Sequence, residues 1–139
     1  MKQPSILLVD GNREFLKSAE QFLRSQTQLQ IVGCASSGQS AIQQTRELSP
    51  DCVLIDLVMP GMNGIEATQK IKSQPSPPKV IIQTVHDNPA YRSASEKAGA
   101  DGFIVKSSFF HRSSQLSSRY SKQRRNLVRR GAPWRERPF

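Results

Sequence analysis

The chain has 139 residues, 36% of them hydrophobic, and a formal net charge of +9. At that length a single domain buries about two thirds of the surface its unfolded chain exposes, so neither disulfides nor a structural metal is needed to hold it together. Cys34 and Cys52 sit in apolar stretches without CxxC spacing, as reduced core residues of a cytoplasmic protein do, and no apolar run approaches the ~18 residues of a membrane span. The start, Met1-Lys2-Gln3-Pro4, has no cleavage signal, and the expectation is a soluble, unprocessed chain with no membrane partner. The charge is uneven. Residues 1 to 111 hold 11 basic and 10 acidic side chains, whereas residues 112 to 139 hold nine Arg and Lys against Glu136 alone.

In chain order, the first short apolar run is Ile6 to Val9, the signature of a strand buried on both faces. Asn12 is placed to cap a helix whose apolar stripe is Phe15, Ala19, Phe22 and Leu23. A strand over Ile31 to Ala35 follows, then a helix with Ala41, Ile42, Thr45 and Leu48 on one face, stopped by Pro50. Cys52 to Val58 reads as the third strand, and Pro60-Gly61 as a turn into a helix carrying Ile65, Thr68 and Ile71. The run Pro75 to Pro78 ends that helix before a strand over Val80 to Ile82. Asn88 with Pro89 opens a fourth helix, striped by Ala90, Ala94 and Ala98 and closed at Gly99, and Phe103 to Val105 is the fifth strand. Phe109, Leu116, Tyr120 and Leu127 then fit a sparse helical stripe, with the helix drawn over about 109 to 122. These elements make one domain of residues 1–121 and a basic tail over 122–139.

Strict alternation of strand and helix predicts a doubly wound α/β fold, a five-stranded parallel sheet with helices on both faces, whose ligands meet the carboxyl ends of the strands. Those ends carry Asp10, Asp56, Thr84 and Lys106. Paired carboxylates repel unless a proton or a cation lies between them, and all-oxygen ligands suit magnesium. A hydroxyl and an ammonium beside them are donors for a phosphoryl group, and a carboxylate can itself be the nucleophile that forms an aspartyl phosphate. The chain has neither GxxxxGK[ST] nor a GxGxxG after a strand, so nucleotide and dinucleotide sites are not expected. Each of the four residues alone also fits a helix cap or a turn former; the combination is what argues for chemistry.

The segments Ile6-Leu7-Leu8-Val9-Asp10, Leu54-Ile55-Asp56-Leu57-Val58-Met59-Pro60-Gly61-Met62-Asn63-Gly64, Thr84, and Gly99-Ala100-Asp101-Gly102-Phe103-Ile104-Val105-Lys106 together resemble the receiver domain of two-component response regulators. The likeness is to receivers attached to helix-turn-helix regulators, and it covers residue 4 to about 110. It implies a flavodoxin-like sheet in the order 2-1-3-4-5. By the same resemblance Asp56 is the phosphoacceptor, served by a sensor histidine kinase or a phosphotransfer protein. Asp10, Asp56 and the Val58 carbonyl are then the magnesium ligands, and Lys106 binds a phosphoryl oxygen. Thr84 and Phe103 are the switch pair, Thr84 moving toward the new phosphate and Phe103 turning inward to signal a downstream protein target. The domain is then a signalling module rather than an enzyme, and a homodimer stays open.

The sequence departs from the family where two adjacent acids normally stand, because the run here is Asp10-Gly11-Asn12. One carboxylate fewer predicts weaker magnesium binding. Two readings follow: a receiver that is still phosphorylated, and a degenerate receiver acting as a phosphorylation-independent interaction module. After Lys106, Ser107 stands where the family most often has proline. In the tail, Lys122 to Arg130 and the lone Trp134 allow nucleic-acid binding by charge and stacking or an extended solvated segment, but about 30 residues with few apolar side chains cannot build a recognition-helix core. His86 and His111 lack the spacing of a metal site.

Overall fold

A computed structural model describes residues 3–106 apart from position 27. The expected helix over 109–122, Ser107, His111 and the basic tail lie outside the described residues. Among the described residues nine elements alternate without exception: β1 (Ser5–Val9), α1 (Arg13–Arg24), β2 (Gln30–Ala35), α2 (Gly38–Leu48), β3 (Cys52–Asp56), α3 (Gly64–Lys72), β4 (Lys79–Thr84), α4 (Pro89–Lys97) and β5 (Gly102–Val105). The strands form one sheet in the order β2-β1-β3-β4-β5, all parallel, so the order reverses beside β1 and opens a crevice between the ends of β1 and β3.

Strand residues alternate between two cores. Ile6, Leu8, Cys52, Leu54, Ile81 and Ile104 pack with α1, while Leu7, Val9, Val53, Ile55, Val80, Ile82 and Phe103 pack on the opposite face with Ala41 of α2 and Ala67 and Ile71 of α3. Each such aliphatic side chain, fully buried, contributes about 1.5–3 kcal/mol of apolar transfer energy. The expected caps are formed: Asn12 accepts from the Phe15 N–H and Asn88 from the Ala90 N–H, with Pro89 in the first turn. Gly99 takes the left-handed conformation at φ +98° just beyond α4.

Several sequence expectations shift. The centre of the α1 stripe is Leu16 with Ala19 and Leu23, and Phe15 and Phe22 lie at its margin, partly buried. In α4 the buried residues are Ser95 and the capping Ala98, while Ala90 is exposed, and Leu48 at the end of α2 is 41% exposed. β3 stops at Asp56 rather than Val58, because the chain turns there and the Gly64 N–H bonds back to the Leu57 carbonyl at 2.8 Å. Both cysteines are free thiols. Cys52 is buried, and Cys34 donates to Glu20 at 3.3 Å, with burial first and that carboxylate second pushing its pKa up to about 11. Among the described residues no helix is long and apolar enough to cross a membrane.

Candidate functional site

The ladder runs on past the formal strand ends and carries the polar residues into register. The Asp10 N–H bonds to the Ala35 carbonyl at 3.0 Å, and the Leu57 N–H to the Gln83 carbonyl at 2.9 Å. Asp56 pairs with Gln83, and Gln83 with Ile104. Period-two alternation then puts Asp10, Asp56, Gln83 and Lys106 on the α1 side of the sheet, above Leu8, Leu54, Ile81 and Ile104. Thr84 and Phe103 fall on the other side, with Ile82.

Three of the sequence-predicted residues meet. Lys106 Nζ lies 2.7 Å from Asp10 Oδ2 and 3.4 Å from Asp56 Oδ2, a single ammonium between two carboxylates. Asp10 is fully buried and Asp56 is 7% exposed, so Asp56 is the carboxylate that reaches solvent. The ammonium also lies 4.4 Å from the centroid of the Phe15 ring, a cation–π contact that covers it. Asp10 is held at both oxygens, Oδ1 by the Asn12 N–H at 2.8 Å and Oδ2 by Lys106 and by the Gln83 amide at 3.4 Å.

Burial raises the Asp56 pKa to about 6, helped by the negative charge of Asp10, while Lys106 and a backbone hydrogen bond from Val58 pull the other way. Desolvation of the charged form wins over the one neighbouring cation. A divalent cation here would reverse that balance. The donors are all oxygen, as magnesium requires, but among the described residues no three His, Cys, Asp or Glu side chains gather as metal ligands. Among the described residues the buried Gln83 Oε1 has no hydrogen-bond donor, although Nε2 of the same amide donates to Asp10. The residues present thus fit a hard cation, with fewer charges than a tight site has.

Glycines shape the surroundings. A Cβ at Gly64 would collide with the carbonyl oxygen of Asp56, so only glycine lets α3 start against that residue. Gly11 is different: its φ lies outside the left-handed region, and a Cβ there would meet Pro60 Cδ at 3.3 Å. The backbone angle at position 11 admits a side chain, with Pro60 giving by a few tenths of an ångström to make room.

Of the other nominated residues, Val58 touches the cluster through its backbone hydrogen bond to Asp56, while Thr84 and Phe103 stand on the other side of the sheet. Thr84 is buried and its Oγ1 accepts from the His86 N–H at 3.2 Å. Phe103 already lies inward, 6% exposed, with the Arg92 guanidinium 4.7 Å over its ring and Arg92 Nε 2.8 Å from Asp87. Val58 is exposed beside Asp56, as is Val85 beyond Thr84. Phe15 and Gln83 join the site without being marked in the sequence as site residues; the one signal for Gln83 is a long polar side chain at the end of the apolar run Val80 to Ile82. A cavity of about 550 Å³ at the opposite edge, lined by Arg46, Asp51, Lys79 and Pro75 to Pro78 among others, takes in none of the predicted residues.

The family model of the response regulator receiver domain matches residues 6–116. The transcriptional regulatory protein LiaR of Bacillus subtilis is 38% identical over 105 residues, 74% of this chain and 49% of LiaR. The nitrate/nitrite response regulator protein NarL of Escherichia coli K12 is 31% identical over 102 residues, 73% of this chain and 47% of NarL. The chain thus spans about half the length of these relatives. Among solved structures, a two-component response regulator of the LuxR family from Aurantimonas superposes with a TM-score of 0.81 at 28% identity, covering 88% of this chain and 87% of that one.

Proposed function

The chain belongs to the response regulator receiver family, and on that premise we propose that it is the receiver module of a two-component phosphorelay that takes its phosphoryl group on Asp56. The observation that carries this reading is the meeting of Asp10, Asp56 and Lys106, from three strands, around one carboxylate that reaches solvent. Asp56 attacks phosphorus; the phosphorus–nitrogen bond of a phosphohistidine breaks and the imidazole leaves, or with acetyl phosphate a phosphorus–oxygen bond breaks and acetate leaves. Asp10, Asp56 and the Val58 carbonyl are the residues that would hold magnesium, which supplies positive charge between nucleophile and phosphoryl oxygens. Lys106 gives up its contact with Asp56 and pairs with a phosphoryl oxygen. Thr84, at the end of β4, turns its hydroxyl to the phosphate, and Phe103 with its Arg92 cover reports the change on the β4, α4 and β5 side.

In this reading residues 1–121 are the receiver and 122–139 a basic tail. The donor is a sensor histidine kinase or phosphotransfer protein, and the output is a protein target, with a homodimer as one form. Incubation with acetyl phosphate and magnesium followed by intact-mass measurement tests it. A single phosphoryl adduct on the parent and none on Asp56→Asn is expected; no adduct from a small donor or a kinase defeats it.

A second reading has its own support. With Gly11 in place of an acid, Lys106 already bridges the pocket's two carboxylates, which suits a receiver that binds a partner without phosphorylation. That reading requires Asp56→Asn to leave partner binding unchanged. Nucleic-acid binding through the tail would require retention on DNA at low salt that disappears on deleting residues 112 to 139.

A further inference from the structure

Gln83 is the least expected residue of β4. It follows the apolar run Val80 to Ile82, it is 1% exposed, and its side-chain amide is only half satisfied: Nε2 donates to Asp10 Oδ2 at 3.4 Å, while Oε1 is buried without a donor among the described residues. A buried carbonyl without a partner is destabilising, and a leucine of similar size would avoid that cost. The reverse orientation of the amide is worse, because it would set the Gln83 oxygen against the Asp10 oxygen and remove a donor from a buried carboxylate. The strain is thus tied to the acid pocket, on whose side of the sheet Gln83 stands.

That pocket is short of one carboxylate at Gly11, and nothing in the backbone there demands glycine. A divalent cation held by few protein ligands keeps several waters, whose hydrogens point outward and need acceptors. Fixed acceptors behind the direct ligands contribute substantially to affinity at metal sites. We propose that Gln83 is a positioning residue for the cation: its N–H holds the Asp10 carboxylate in place, and its free carbonyl oxygen accepts a hydrogen bond from the cation's water shell, part of the role left open by Gly11. This rests on the reading of the Asp56 pocket as a cation-assisted phosphoacceptor.

The test uses the full chain and manganese alone as the probe, with free ion counted by electron paramagnetic resonance, and thermal unfolding in EDTA as the control for structure. Gln83→Leu is expected to weaken manganese binding about tenfold while changing metal-free thermal stability little, since relief of the orphaned oxygen offsets loss of the long hydrogen bond to Asp10. Gln83→Met, unbranched and close in volume, repeats the measurement should leucine fail to fold. Adding Gly11→Asp to either variant is expected to restore affinity, because a direct carboxylate makes the outer acceptor redundant. Manganese binding that is unchanged in both Gln83 variants overturns the role of Gln83 and leaves the phosphoacceptor reading standing. If the parent and Gly11→Asp both fail to bind manganese, the cation-assisted reading falls and Gln83 with it.

Discussion

Replacing Asp56 with Asn should stabilise the protein at neutral pH, by an amount that depends on pH in a defined way. Burial and the Asp10 charge lift the Asp56 pKa from 3.8 to about 6. Between those two values the native state binds more protons than the unfolded chain, so this group favours folding below about pH 4 and that benefit is lost as pH rises through about 6. At about 1.4 kcal/mol per pKa unit the full loss is about 3 kcal/mol, reached near pH 7. Asn has nearly the same shape and no charge, so the variant escapes the loss. Urea unfolding followed by circular dichroism, in EDTA at intervals from pH 4 to 7.5, should show an advantage for Asp56→Asn that is small at pH 4 and grows to about 2–3 kcal/mol at pH 7. Magnesium should shrink the advantage by stabilising the parent through binding to its native state. An advantage that does not grow with pH would show that the carboxylate is not penalised by its pocket, and the reasoning would be wrong.

Lys106→Met removes the ammonium that lies between Asp10 and Asp56; a loss of about 3 kcal/mol at pH 7, recovering toward pH 4 as Asp56 protonates, should appear in the same urea series. Gly64→Ala forces a methyl group onto the Asp56 carbonyl, and a drop of about 1–3 kcal/mol together with slower acetyl phosphate labelling is expected by thermal unfolding and intact mass. Gly11→Asp should tighten magnesium binding by about tenfold in calorimetric titration, with Pro60 yielding a few tenths of an ångström. In the absence of magnesium, acetyl phosphate labelling of the parent should fall about tenfold per pH unit below pH 6, as the Asp56 nucleophile protonates; a flat profile would contradict the raised pKa.

Much of the site was legible because its residues stand at strand ends, and strand ends are marked by where apolar runs stop. Asp10 and Lys106 each follow such a run, and Asn12, Asn88 and Gly99 punctuate the helices through local hydrogen bonding and backbone freedom that need no distant partner. Errors came where a choice depended on what lay opposite. Phe15 and Leu16 are equally apolar, and only the docking angle of α1 makes Leu16 the core residue and leaves Phe15 over Lys106. An alanine stripe such as Ala90, Ala94 and Ala98 weakly marks a face, since methyl groups lose little by exposure. Gln83 was passed over because a polar residue in a strand says nothing of its role until its neighbours are known.

The sequence alone determined the alternation of strands and helices, the caps, and which polar residues stand at the mouth of the sheet, since these depend on contacts within a few residues along the chain. It takes the folded sheet to set Asp10, Asp56, Gln83 and Lys106 on one side and Thr84 and Phe103 on the other, to seat Lys106 between two acids, and to let burial outweigh its charge at Asp56. The physical reason is register. A one-residue slip moves a strand side chain to the opposite face, and both desolvation and Coulomb energy depend on separations that exist only once five strands are aligned.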